Sequence, residues 1–176
     1  GHGDICRKGR DRIQRMSEAA IQWWSILEPI WNEQEGSEDP EIFLTWFHGL
    51  TKSQQILFPT HWLCAEVYNG GFHQYFSNSA GLHAPEAVRG FRELGLNDIA
   101  DIVEHALSVF GAEFPRRRES REAFLNSIEG ADRTEWDPFF KLDDAFYKAI
   151  VILGAPVDND DDRFTVAAKE LVKQGQ

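Results

Sequence analysis

The chain has 176 residues, about the length of one domain, and 42% of them are hydrophobic and 12% aromatic. This composition is too apolar for a disordered chain. Acidic residues outnumber basic residues 29 to 18, and the resulting net charge of −11 disfavours direct binding to nucleic acid, because the phosphates would be repelled. Two cysteines are too few for a disulfide framework, so we expect a reducing compartment.

The chain carries no sign of a membrane or secretory destination. No apolar run reaches the roughly 18–20 residues of a membrane span, and no apolar stretch with a cleavage site stands at the N-terminus. We therefore expect a cytoplasmic protein that binds no membrane. Residues 1–3 (Gly-His-Gly) resemble a remnant of cloning, so the prediction is a single domain over residues 4–176.

The first half of the chain predicts a succession of amphipathic helices. One helix is expected from residue 11 to about residue 31, and a second begins at Asp39-Pro40, a capping residue followed by proline. Pro59 is expected to interrupt the next helix. A short apolar helix over residues 61–68 then ends at Asn69-Gly70-Gly71.

The second half continues in the same way. Pro85 opens a helix that ends at Gly95, Asn97 is expected to cap the next helix, and Pro138 opens a longer one. A last helix follows the acidic residues 158–162. No alternation of period two is sustained, so we predict an all-α fold, a single compact domain of about eight helices.

The apolar positions of these helices predict the core. Eight side chains at such positions are expected to be buried: Trp24, Phe47, Leu63, Phe72, Phe91, Ile102, Leu107 and Phe146. Cys64 lies in an apolar segment and is predicted to be a small core residue and not a nucleophile. The tryptophans Trp23, Trp24 and Trp31 recur at helical spacing and are also expected to pack in the core.

A cluster of arginines, at residues 116, 117, 118 and 121, stands at the start of a predicted helix. Its charge suits a phosphate or an acidic patch of a partner. However, Glu113, Glu119 and Glu122 lie at spacings that allow them to pair with these arginines. We therefore expect a solvated helix face with mutual ion pairs.

Motifs for catalysis are missing from the linear sequence. We find no phosphate-binding loop, no serine nucleophile motif and no pair of histidines at the spacing of a helical metal site, so we predict no metal and no cofactor. One alternative leaves no linear trace, namely an enzyme, metal-dependent or not, assembled across helices from His61, Glu66, His73 and Glu104. Another is a helical module that binds a small ligand or an ordinary protein partner.

One segment is distinctive, because residues 66–81 read EVYNGGFHQYFSNSAG. It resembles the signature of a bacterial family named for DNA-mimic proteins, and the family-like core covers about residues 62–110. The resemblance implies an all-α cytoplasmic protein, dimeric and without catalytic residues. It also implies that an acidic surface imitates the phosphates of duplex DNA and thereby occupies a DNA-binding transcriptional regulator.

Taken by themselves, the residues of this motif point to structure. Two successive glycines permit a sharp turn between helices, while Phe72, Tyr75 and Phe76 fall on one helix face. Asparagines suit the ends of such helices. We therefore expect a structural role for the motif residues Asn69, Gly70, Gly71, Phe72, Gln74, Tyr75, Asn78 and Gly81.

The candidate partner-binding surface is acidic and has two parts. Asp98, Asp101 and Glu104 lie on the polar face of one helix, about 4.5 Å apart along its axis, a spacing that suits a row of lysine or arginine side chains. The predicted partner is a basic DNA-binding protein, and plain solvation is the alternative. The second part precedes the last helix, where the final aspartate also suits a helix cap. Its residues are Asp158, Asp160, Asp161 and Asp162.

Overall fold

The computed structural model describes residues 18–33, 38–154 and 161–175. These residues form nine α-helices and two 3₁₀ turns and contain no strand, so the all-α prediction is confirmed. No helix among them is both long and apolar enough to cross a membrane. The helices are α1 (Glu18–Leu27), α2 (Pro40–His48), α3 (Lys52–Ser77), α4 (Ala84–Glu93), α5 (Asn97–Ser108), α6 (Arg118–Ile128), α7 (Arg133–Trp136), α8 (Phe140–Ile150) and α9 (Arg163–Gln174). The 3₁₀ turns are Glu28–Ile30 and Ser79–His83.

Capping side chains explain where two of these helices begin. Asp39 accepts hydrogen bonds from two backbone N–H groups in the first turn of α2, at 2.9 and 3.2 Å, so the predicted start is confirmed. Thr51 and Gln54 form a capping box at the start of α3. The predicted cap at Asn97 is wrong by one residue, because α5 begins at Asn97 itself and Leu96 holds the cap position without a side-chain hydrogen bond.

Pro59 does not interrupt the helix, contrary to the prediction, since α3 runs through it. A proline in a helix interior costs about 3 kcal/mol, through a lost hydrogen bond and a steric clash. Burial of one large apolar side chain contributes about 1.5–3 kcal/mol. The three residues directly before the proline, Ile56, Leu57 and Phe58, are all buried, so packing outweighs the local penalty.

The core surrounds α3, which packs against α1, α4, α6, α8 and α9. Cys64 is buried there, and burial raises the pKa of its thiol. Five of the predicted core residues are buried: Phe47, Leu63, Phe72, Phe91 and Phe146. The prediction is wrong for Trp24, Ile102 and Leu107, which are only partly buried because they lie at the edge of the apolar cluster.

His61 lies among the tryptophans that the sequence assigns to the core. The rings of Trp23, Trp24, Trp31 and Phe164 have centroids between 5.4 and 6.3 Å from the imidazole. The three tryptophans are partly buried, and they pack against the main core. Burial lowers the pKa of His61 to about 4.

His83 is a second buried histidine. Its ring stacks on that of Phe43, with centroids 4.5 Å apart and an interplanar angle of 18°. Burial, together with the nearby charges of Arg121 and Arg116, lowers the pKa of His83 to about 3. Both histidines are therefore neutral in the folded protein at neutral pH.

Folding stability is expected to fall by about 1–2 kcal/mol for each of these histidines as the pH drops from about 6.5 to about 5. In this window the unfolded chain takes up protons on both imidazoles, whereas the folded chain does not until about pH 4 for His61 and about pH 3 for His83. Their contribution is complete above pH 6.5 and is lost as the pH falls towards the folded pKa values.

Urea unfolding at several pH values in this range measures how steeply the free energy of unfolding changes with pH. The ordinary pKa of histidine lies at the top of this window, whereas those of aspartate and glutamate lie below it, so we expect the two buried histidines to dominate the slope. Replacing His61 with phenylalanine should reduce the slope by about half, because one of the two protons is removed. An unchanged slope in this variant would show that other groups set the pH dependence.

Candidate protein-binding surface

The Gly70-Gly71 pair breaks α3 into two segments, as predicted. Gly71 has φ 77° and ψ −177°, a conformation essentially reserved for glycine. The break frees main-chain polar groups, and α8 supplies their partners. Asp143 accepts the N–H of Phe72 at 2.8 Å, and the Tyr147 hydroxyl donates to a main-chain carbonyl of the first segment at 2.7 Å.

Glu66 is held by the second segment and by the residue that caps its C-terminal end. Its carboxylate accepts hydrogen bonds from the side-chain amides of Gln74 at 3.0 Å and Asn78 at 2.7 Å. Tyr75 is buried, whereas Asn69 is exposed. These contacts of Gln74 and Asn78 join parts of the same chain, and the structural role of the motif stays a prediction.

Three of the four arginines of the predicted cluster point into the protein, so the expected solvated face is wrong for them; Arg117 is exposed. Arg121 is fully buried, and its guanidinium donates to the carbonyls of Phe76 and Asn78, each at 2.9 Å. Arg118 donates to the intervening carbonyl of Ser77 at 2.9 Å. Three successive carbonyls at the end of α3 thus bind guanidinium groups, at the helix end where the dipole favours a cation.

Arg116 is the third inward-pointing member of the cluster. Its two terminal nitrogens each lie 2.9 Å from a carboxylate oxygen of Glu86, whose side chain is fully buried. Gly81 leaves room for the neighbouring guanidinium, because a Cβ there would lie 2.9 Å from Nε of Arg121. Among the predicted glutamate partners, Glu122 pairs with Arg118 at 3.1 Å.

The α5 stripe, defined as Asp98, Asp101 and Glu104, is exposed, with 54%, 69% and 65% of the side chains accessible. Arginines from other helices bind it. Arg163 contacts both carboxylate oxygens of Asp98, at 2.6 and 3.1 Å, and holds the pKa of Asp98 below its ordinary value. Nη2 of Arg92 lies 2.9 Å from both Asp101 and Glu104. The sequence of α5 alone does not indicate that these arginines pair with the stripe.

The second predicted acidic part lies only partly within the described residues. Asp158 and Asp160 lie outside the described residues. Asp161 is 2.6 Å from a lysine of α9. Asp162 caps α9, as predicted, and also accepts a hydrogen bond from the Tyr68 hydroxyl at 2.7 Å. Asp161 and Asp162 are thus half-buried and engaged within the chain.

The residues of the alternative active site have different neighbours. His61 lies in its aromatic cluster, and Glu66 binds the two amides of the motif. Glu104 pairs with an arginine, and the ring of His73 is 5.7 Å from that of Trp136. In the described part of the chain, no group of three or more histidine, cysteine, aspartate or glutamate residues is placed to bind a metal ion.

Comparison with known families identifies the class of the protein. The model of the family of DMP19-like proteins matches residues 48–155, more than half of the chain. The chain therefore belongs to the DMP19-like protein family, the DNA-mimic family that the segment 66–81 resembles. Searches of curated proteins and of solved structures gave no match.

Proposed function

We propose that the protein is a non-enzymatic DNA mimic, which binds a basic transcriptional regulator on the surface that otherwise binds duplex DNA. Membership of the DMP19-like family is the observation that carries this proposal. The net charge of −11 supports it, because an acidic protein attracts a basic DNA-binding surface over long range. Cytoplasmic localisation belongs to the same proposal, and the homodimer that the resemblance implies stays a prediction.

The α5 stripe is the proposed contact with this regulator. Its carboxylates are spaced by about 4.5 Å along the helix axis. The phosphates of one DNA strand are spaced by about 3.4 Å along the duplex axis. The stripe therefore offers a row of negative charges at a spacing comparable to that of a short run of phosphates.

The arginines that bind the stripe do not block it. Exposed ion pairs contribute about 0–1 kcal/mol each, so a lysine or arginine of the regulator can exchange with Arg92 or Arg163 at little cost. A carboxylate also has about four lone-pair sites and can accept a second donor while the first remains bound. Both routes keep Asp98, Asp101 and Glu104 available to a basic partner.

Changing Asp98, Asp101 and Glu104 together to Asn, Asn and Gln is expected to weaken binding of the regulator about tenfold or more, because three charges are lost from the contact. The regulator is recovered by affinity pull-down from the native cytoplasm, and duplex DNA should displace it. The variant should remain folded, because the ion pairs it loses are exposed. Circular dichroism checks the fold, and a competition titration measures the affinity.

A charge-matched control separates a defined contact from general attraction. Changing Glu119, Glu129 and Glu135 to glutamine also removes three exposed carboxylates, but from α6, its C-terminal cap and α7. This control should bind nearly as tightly as the parent. If both triple variants lose affinity equally, the α5 stripe is not the contact; if duplex DNA does not compete, mimicry is ruled out for this regulator.

A further inference from the structure

A recess opens beside the Gly70-Gly71 break, between α3 and α8. Its volume is about 370 Å³, and it is partly open to solvent. Neither glycine has a side chain to fill it, so main chain forms this part of its lining. Phe140, Asp144 and Tyr147 of α8 also line the recess.

Two aromatic side chains of this lining are exposed, Phe140 to 46% and Tyr147 to 38%. They are about two helical turns apart on one face of α8, and Asp144 lies between them, one turn after Phe140. Aromatic rings beside a carboxylate attract organic cations, through the negative faces of the rings and through ion pairing. The recess therefore has the chemistry of a cation site.

The surrounding charges also favour a cation. Arg133 lines the recess, but its guanidinium is held by Asp137 at 2.7 Å and by Asp143 at 3.4 Å, so two carboxylates offset its charge. Asp144 pairs with Lys148 at 2.7 Å, with 63% and 75% of the two side chains exposed. Such an exposed pair is weak and exchanges readily with another cation.

We propose that this recess accepts an arginine side chain of the basic partner. The inference rests on the proposed function, and it adds to the α5 stripe an anchor that recognises shape as well as charge. Arginine fits better than lysine, because its planar guanidinium stacks on aromatic rings, binds a carboxylate through two parallel hydrogen bonds and is weakly hydrated. Phe140 and Tyr147 supply the rings, and Asp144 supplies the carboxylate.

A small probe tests the recess without the partner. N-acetyl-L-argininamide is titrated into the isotope-labelled full chain, while the backbone amide signals of Gly70, Gly71 and Asp144 are followed. Saturable shifts at these residues are expected. N-acetyl-L-citrullinamide, which has nearly the same shape without the charge, should bind about fivefold more weakly or worse. N-acetyl-L-lysinamide, which keeps the charge without the planar group, should also bind more weakly. Absent shifts, shifts spread over the acidic surface, or binding of either analogue as tight as that of the arginine probe would overturn the proposal.

Variants locate the binding of the probe. Asp144→Asn and Phe140→Leu should each weaken binding of the arginine probe about threefold or more. Glu170→Gln is the matched control. Glu170 lies on α9, away from the recess, is 58% exposed and, like Asp144, is close to a lysine of its own helix, with Lys173 at 3.9 Å. It should leave binding unchanged; if it weakens binding as much as Asp144→Asn, the probe reports net charge and the proposal fails. Because no partner is used, this result and the DNA competition stand or fall separately.

Discussion

Replacing Arg121 with methionine is expected to lower the free energy of unfolding by about 3–5 kcal/mol. Methionine fills part of the volume but leaves the carbonyls of Phe76 and Asn78 without their donors in the interior. Each unpaired buried carbonyl costs about 1–3 kcal/mol. Burial lowers the pKa of Arg121 to about 10, so the guanidinium is still charged at neutral pH, and the carbonyl dipoles at the end of α3 stabilise that charge.

Urea denaturation measures this loss, with Arg117→Met as the control. Arg117 is 63% exposed and lies 3.7 Å from Asp39, so its replacement should change stability by about 0.5 kcal/mol or less. Arg121→Lys should fall between the two, because an ammonium keeps the charge but lacks the planar fork that reaches several carbonyls. If Arg121→Met is as stable as the control, the carbonyls at the end of α3 find other hydrogen-bond donors.

The only sign in the sequence that Arg121 is buried is its position in the helical repeat. Arg121 shares a helix face with Leu125 and Ile128 of α6, three to four residues apart along the chain, which is the spacing of a buried stripe. Its neighbours in the cluster and the nearby glutamates favour an exposed face instead. What binds the guanidinium is not local, since the carbonyls of Phe76 and Asn78 lie 45 and 43 residues earlier. Periodicity can therefore suggest that this arginine is buried, but cannot name its partners.

The break in α3 could be predicted, whereas its continuity through Pro59 could not. Glycine acts locally, because the freedom of Gly70 and Gly71 is a property of these residues alone. The penalty at Pro59 is equally local, but whether it wins depends on burial against other helices. Sequence patterns thus locate helices well, and they fail where tertiary packing opposes the local preference.

The exposed face of α5 could likewise be predicted, but the electrostatic potential at that face could not. Arg92 and Arg163 come from α4 and α9, so they offset charge on the α5 stripe in a way that the composition of α5 does not reveal. The opposite holds near α6. There Arg116, Arg118 and Arg121 turn inward, so the outer surface is more acidic than the composition of this segment suggests. The fold therefore decides which charges a basic partner meets.

Replacing Gly71 with alanine is also expected to cost about 3–5 kcal/mol of stability. A residue other than glycine is strained at φ 77° and ψ −177°. The added Cβ would also lie 2.5 Å from Oδ2 of Asp143, the carboxylate that accepts the N–H of Phe72. Alanine therefore strains the backbone and displaces the acceptor of a buried hydrogen bond.

Gly95→Ala gives the cost of a positive φ without a side-chain clash. Gly95 has φ 74°, and a Cβ there would meet nothing within 4 Å, so its loss should be about 1–2 kcal/mol. A double-mutant cycle isolates the contact with Asp143. Because the Gly71→Ala chain has already lost the hydrogen bond, adding Asp143→Ala should cost clearly less than it does in the parent. Additive effects in the cycle, or a Gly71→Ala chain as stable as Gly95→Ala, would show that the carboxylate moves aside freely and that backbone strain alone sets the cost.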